Sequence, residues 1–280
     1  MPPAFPSLAE VVDTLEQRYP LSTAQEWDAV GLVCGDPAAI VERILWAVDP
    51  VEVVAEQAIA ERADLIVAHH PLFLTGVHSV AATTSKGRIV HRLIDAGIGL
   101  YCAHTNADVA SPGVSDALAV ALGLVDVRPL EPGGPDRGGL AGLGRIADLP
   151  APATLREFAG MVAARLPRTE HGVRVAGDLE SPVRRVAVCG GSGDGLLPIA
   201  TEMGADVLVT ADLKHHRALE HAEDGGCSIV DVAHWASEWP WLAQAAALLQ
   251  EDLAARGSTV ESIVSEVPTD PWALTLRSGS

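Results

Sequence analysis

Three short segments of this 280-residue chain carry residue types that hold metal ions or move protons. His69 and His70 stand side by side before Pro71; His104 and Asp108 are four residues apart, and so are His234 and Glu238. Imidazole and carboxylate without thiolate suit Zn, Mn, Fe, Ni or Co rather than calcium or a cysteine-rich structural zinc. On a helix, residues i and i+4 share a face one turn apart, so each such pair can chelate one ion or give one ligand to each of two. Every piece also has a plain structural reading. The histidine pair can cap or fill a core, Asp108 can cap the segment before Ser111, and Glu238 is a favourable first-turn acid beside a surface His234. Those readings must hold at three equivalent places at once, so the metal reading leads.

Residues this far apart meet only if the fold brings them together. Leu65, Ile66 and Val67 form a short apolar run of the kind a buried strand shows. Pro71 cannot donate to a ladder, so the histidine pair falls at that strand's carboxyl end, where open α/β sheets place ligands. Adjacent strand residues point to opposite faces, so both rings reach one site only if the backbone turns between them or the site holds two ions. Ile44 to Val48, a helix from Val51 to Arg62 and Leu65 to Ala68 read as a βαβ unit with a parallel pair. Ser7 to Arg18 has helical spacing with Ser7 and Glu10 as a capping box. Helices are also expected over Lys86 to Ala96, Ser115 to Leu122, Thr154 to Leu166, Leu196 to Met203 and His215 to Asp224, and from about His234 to Ala255. Further strands are expected near Trp27–Val33, Gly97–Ala103, Val173–Ala176, Arg185–Val188, Val207–Val209 and Ser228–Val230.

Gly190 to Gly195 can cradle a phosphate with backbone N–H groups or serve tight strand–helix packing, two readings of equal weight. Lys214 can meet an anionic substrate, whereas His215 and His216 read as solvated helix-start residues. His78, His91, His171 and His221 read as structural or surface, with His78 near enough to the site to be an exception.

Lys and Arg number 19 against 37 Asp and Glu, a formal net charge of -18, which argues against a bare electrostatic footprint for nucleic acid or an anionic membrane. Bound cations can reverse the local field, so a phosphorylated substrate is compatible with this charge. No apolar run approaches the roughly 20 residues that span a bilayer, and the first twenty residues lack the pattern of a signal peptide. Cys34, Cys102, Cys189 and Cys227 form no C-x-x-C and read as free thiols in a reducing cytoplasm. The glycines and prolines of Glu131 to Gly144 read as a linker or domain boundary. They split the chain into a first α/β domain, 1–130, and a second, 131–280. The residues from Val267 to Ser280 read as a strap or tail.

In order along the chain stand WDAVGL, LIVAHHPLF, AHTNADVASPGVSDALA, CGGSGDGLL, LVTADLKHH and DVAHWASE. Together, from about Leu8 to about Gln250, they resemble the dinuclear-metal-centre hexameric family, the NGG-one-interacting-factor-three-like proteins or GTP cyclohydrolase 1 type 2 homologues. The resemblance implies two intertwined three-layer α/β/α domains with mixed sheets, assembled as a toroidal homohexamer, with an inter-domain site for two divalent transition-metal ions. Carried over by motif, it implies ligands at His69, His70, Asp108, His234 and Glu238, one carboxylate bridging, with His104 beside the metals. Trp235 and Ser237 stand where His or Tyr and Thr are common, and neither change removes a ligand. The implied activity is metal-dependent hydrolysis of a nucleotide or related phosphorylated compound, with Glu238 and His104 as candidates for moving protons. The alternative is a non-catalytic metal-binding or metal-delivery protein, or a ring-shaped scaffold for a protein partner.

Overall fold

The computed structural model describes residues 4–133, 139–276 and 279. The chain divides into two compact units, Met1–Ala107 with Leu242–Thr269 and Asp108–Trp241 with Asp270–Ser280. The change of unit thus falls at Asp108, not near residue 131 as the glycine and proline content implies, and each unit is built from two separate stretches of chain. The class observed, α/β with two mixed sheets, is the one expected.

In the first unit, five strands lie in the order β1 (Gly31–Cys34), β4 (Gly99–Cys102), β3 (Leu65–Ala68), β2 (Arg43–Ala47), β11 (Glu261–Val264). Only the β1–β4 pair is antiparallel. All four residues of β3 are buried, as a central parallel strand covered on both faces requires. Helices α2 (Glu52–Ala60) and α3 (Ser85–Ala96) cover one face, packing Val54, Ala55, Ile89 and Leu93 on Leu45, Ile66 and Leu100. Helix α1 (Leu8–Arg18) covers the other, with Leu8 seated against Gly99 and Leu65. Its capping box is present: Ser7 Oγ accepts from the Glu10 N–H, and the Ser7 N–H donates to the Glu10 carboxylate at 2.7 Å.

The second unit holds six strands in the order β5 (Val125–Pro132), β6 (Gly142–Thr154), β8 (Pro182–Ser192), β9 (Val207–Ala211), β10 (Ser228–Val232), β7 (Arg174–Ala176). The β8–β9–β10 core is parallel and the flanking pairs are antiparallel. Helix α7 (Leu197–Glu202) closes an apolar cluster with Leu130, Ile146, Ala187, Leu208 and Ile229. Helices α5 (Val114–Ala121) and α6 (Leu155–Arg165) pack on β6 and β8. Helix α8 (His215–Glu223) has no buried residue. Glu131 to Gly144 is not a linker: its ends belong to β5 and β6, which pair as a hairpin, and its middle, residues 134–138, lies outside the described residues.

One side chain tied into β6 was not anticipated. Arg145 is 1% exposed and places all its donors. It meets Asp116 at 2.7 and 2.6 Å and the carbonyls of Gly142, Gly144 and Ala110 at 2.7, 2.8 and 2.5 Å. Asp116 in turn accepts from the Gly113 N–H at the start of α5. The segment that follows Asp108 is therefore fastened to the sheet by one guanidinium.

The expected strap is seen after β11. Residues 265–276 form no helix or strand, Thr269 Oγ1 donates to Asp49, and Thr275 Oγ1 donates to the Glu170 carbonyl. Residues 277, 278 and 280 of that stretch lie outside the described residues. Among the described residues no helix is long and apolar enough to cross a membrane. All four cysteines are free.

Candidate metal centre

In the first unit β3 ends at Ala68, and the backbone turns as it leaves the strand. The ring centroids of His69 and His70 lie 5.0 Å apart, and that of His104, at the entry to the short helix α4 (Thr105–Val109), lies 5.2 and 5.5 Å from them. One ligand-capable nitrogen of each lies within 4.8 Å of the other two. Three imidazoles so close cannot all be protonated without strong repulsion. Burial, then the neighbouring His69, holds His104 below the usual histidine range.

Each ring is fixed through Nδ1. His69 Nδ1 lies 2.8 Å from the Ala103 carbonyl, His70 Nδ1 2.7 Å from Asp49 Oδ1, and His104 Nδ1 2.8 Å from Asp28 Oδ1. A carbonyl or an ionised carboxylate only accepts, so Nδ1 donates in all three, and the lone pair of each neutral ring sits on Nε2. Asp28 also accepts from the Thr105 N–H and hydroxyl. Burial pushes its carboxyl up, but the bonds from Thr105 and His104 outweigh that and hold it below the usual range.

The second unit repeats the pattern. His234 opens helix α9 (His234–Ala255), its Nδ1 lies 2.7 Å from Asp212 Oδ2, and its Nε2 lies 2.9 Å from Glu238 Oε1 one turn on. Asp212 follows β9 in the left-handed region, φ +57, a strained conformation that aims its carboxylate at the ring. Glu238 is 3% exposed and Asp108 half-buried. Burial first, with the carboxylates of Asp108 and Glu238 adding to it, pushes the Cys189 thiol up to about 12, so this sulfur stays protonated beside them.

Gly190 and Gly191 explain how a carboxylate fits there. A Cβ on Gly191 would stand 2.4 Å from Glu238 Oε1 and 3.1 Å from His234 Nε2, and its φ of +69 favours glycine in any case. The Gly191 N–H donates to Ser237 Oγ and the Gly190 N–H to Ser115 Oγ. Of the two readings of this glycine run, these two residues serve packing: their N–H groups are committed to hydroxyls. Gly191→Ala is expected to cost about 1–2 kcal/mol through backbone conformation and, in addition, to displace Glu238. Gly97→Ala is the control, because Gly97 has φ +71 and nothing within 4 Å of an added Cβ. Both variants should lose similar stability from the backbone, and only Gly191→Ala should lower metal affinity. Equal metal affinity in the two would show that Glu238 does not depend on this cradle.

The family resemblance set His104 beside the metals as a candidate for moving protons; its ring stands in the imidazole cluster and is held as its neighbours are. His171 contacts Asp231, His221 contacts the Cys227 carbonyl, and His78, His91, His215, His216 and Lys214 are exposed. Asp28, Asp49 and Asp212 were missed. Their one signal is an acid placed shortly before or after a strand, which turn formation explains equally well.

Nδ1-to-oxygen bonding of metal-ligand histidines is the ordinary arrangement around a bound ion, fixing the tautomer and raising basicity. The donor set therefore fits a divalent transition metal. Asp28→Asn, Asp49→Asn and Asp212→Asn are each expected to weaken metal binding roughly 10–100-fold, read by competition against a chelating dye. Unchanged affinity in all three would mean that these carboxylates do not tune the rings.

An α/β protein with histidines and acids gathered at strand ends and helix starts is the class this geometry defines. The chain belongs to the Duf34/NIF3 (NGG1p interacting factor 3) family, whose model matches residues 6–271. It is 50% identical over 268 residues to a Streptomyces coelicolor protein named GTP cyclohydrolase 1 type 2 homolog, covering 96% of this chain and 94% of that one. Its fold matches crystal structures of a Bacillus cereus protein related to NIF3 (TM-score 0.88, 27% identity, 97% of this chain and 100% of the other) and of a Staphylococcus aureus protein (TM-score 0.88, 29% identity, 96% and 99%).

Proposed function

We propose that this chain binds two divalent transition-metal ions and hydrolyses a nucleotide or a related phosphorylated compound. The ligands would be His69, His70 and His104 from the first unit and Asp108, His234 and Glu238 from the second. The observation that carries the reading is the shared Nδ1 arrangement of four histidines, with a buried carboxylate one helical turn from the last. The candidate ions are Zn, Mn, Fe, Ni and Co. When bound, such a pair supplies Lewis acidity and lowers the pKa of water. The protein would hold the donors in place, keep His104 neutral through burial, and offer Glu238 as an acceptor for a proton. Six protein ligands for two ions leave coordination positions open, as catalytic sites require. The name carried by the Streptomyces coelicolor relative directs the substrate search to purine nucleotides. The same family reading supports a closed homohexamer, and the scattered free cysteines support a cytoplasmic location.

The test is a screen of metal-loaded protein against GTP, other nucleotides and generic phosphoesters, followed by Asp108→Asn. Turnover abolished in a variant that keeps its metal supports hydrolysis. Absence of turnover with all five metals, together with metal transfer to an acceptor, replaces it with the metal-delivery reading. Light scattering that finds a monomer at micromolar concentration removes the hexamer.

A further inference from the structure

Trp27 stands beside the imidazole cluster. Its ring centroid lies 5.9 Å from that of His104 at an interplanar angle of 77°. Residues on either side of Trp27 are tied to the start of α4. The Gln25 N–H donates to Thr105 Oγ1 at 2.9 Å, and Asp28 accepts from His104 Nδ1 and from the Thr105 N–H and hydroxyl. Trp27 is nevertheless 58% exposed. A large apolar ring at the edge of a polar cluster, left mostly in water, forgoes most of the burial that stabilises tryptophan elsewhere. A ligand that covers it recovers that burial.

We propose that Trp27 is the stacking wall for a planar heteroaromatic ring, so that the ligand of this centre is recognised through a nucleobase or a ring of similar shape. This rests on the nucleotide reading above and narrows it: the base, and not the phosphate alone, is bound. The net charge of -18 points the same way. The field of the whole protein repels a polyanion, so affinity must come from local cations and from uncharged contacts. Stacking on an aromatic face is such a contact, and it tolerates different bases because every base has a π-face.

The experiment measures binding of GTP, ATP and inorganic tripolyphosphate to metal-loaded wild-type, Trp27→Ala and Trp27→Phe protein, with metal content and solution mass recorded for each. Trp27→Ala should weaken GTP and ATP binding about tenfold or more, leave tripolyphosphate binding, metal content and mass unchanged, and be largely rescued by Trp27→Phe. Equal loss of nucleotide and tripolyphosphate, or no loss, overturns the stacking wall. So does a change in solution mass with Trp27→Ala, which would assign the indole to a contact between copies. Wild-type protein that takes up tripolyphosphate but no nucleotide overturns the wall and leaves a phosphate-directed hydrolase standing. Metal-loaded protein that binds none of the three overturns the nucleotide reading itself.

Discussion

Chains carrying His69→Ala and Glu238→Ala together are expected to leave a chelator-free purification almost without metal, where the wild type retains about two ions per chain. His69 is fully buried and Glu238 nearly so, and each lies in a different unit. Removing both takes a ligand from each of the two donor sets. Each single variant should retain part of the metal: Glu238→Ala keeps the three imidazoles together, and His69→Ala keeps two of those rings and the His234–Glu238 pair. The folded state should survive, because alanine removes a group whose charge or polarity is costly to bury without its partner ion. Elemental analysis after dialysis, paired with circular dichroism, reads both quantities. Wild-type protein that remains metal-free after incubation with Zn, Mn and Fe would sink the dinuclear reading. A double variant that keeps a full complement of ions would sink the ligand assignment.

The second large effect concerns stability alone. Arg145→Met should destabilise the protein by about 3–5 kcal/mol, because it strands the half-buried Asp116 carboxylate and three carbonyls that the guanidinium serves. For a protein of this size that is a fall in Tm of roughly 10 °C. Arg145→Lys, with one point charge in place of a planar fork, should recover only part of the loss. Adding Asp116→Ala to Arg145→Met should bring back part of the stability by removing the unpaired charge. Thermal unfolding of the four proteins tests this order. A Tm for Arg145→Met within about 2 °C of wild type would show that the network is not what fastens Ala110 to the sheet.

The positions of most elements were legible because their periodicity is local. Leu65 to Ala68 is the expected strand to the residue, and Ser7 with Glu10 forms the expected cap. The histidines and acids that can bind metal were legible by type. Their supporting carboxylates were not: Asp49 and Asp212 follow strands, where an acid as readily makes a turn, and only the tertiary structure shows each one turned toward an imidazole. The hairpin of β5 and β6 was hidden by Pro129, Pro132 and the glycines that follow, which read as punctuation although they bound a ladder. β11 was hidden because four residues beside a proline-containing strap carry little periodicity, and its place is set by pairing with β2. Helix α9 continues through Pro240, a residue that ordinarily marks an end.

The interleaving of the two units has a consequence for how the molecule is made. All six strands of the second sheet lie between Val125 and Val232, so they are synthesised before Glu261 is added. The first sheet is in the opposite position: β1 to β4 are complete by Cys102, while the neighbour of β2 arrives only with β11. For the time needed to synthesise the intervening chain, on the order of 10 s, the nascent protein presents Arg43–Ala47 as an unpaired edge. That edge is apolar, with Ile44, Leu45 and Trp46 in succession, the kind of edge that pairs with a second chain when nothing covers it. The late strand is therefore the step of biosynthesis at which this protein is most open to aggregation and has most to gain from a chaperone.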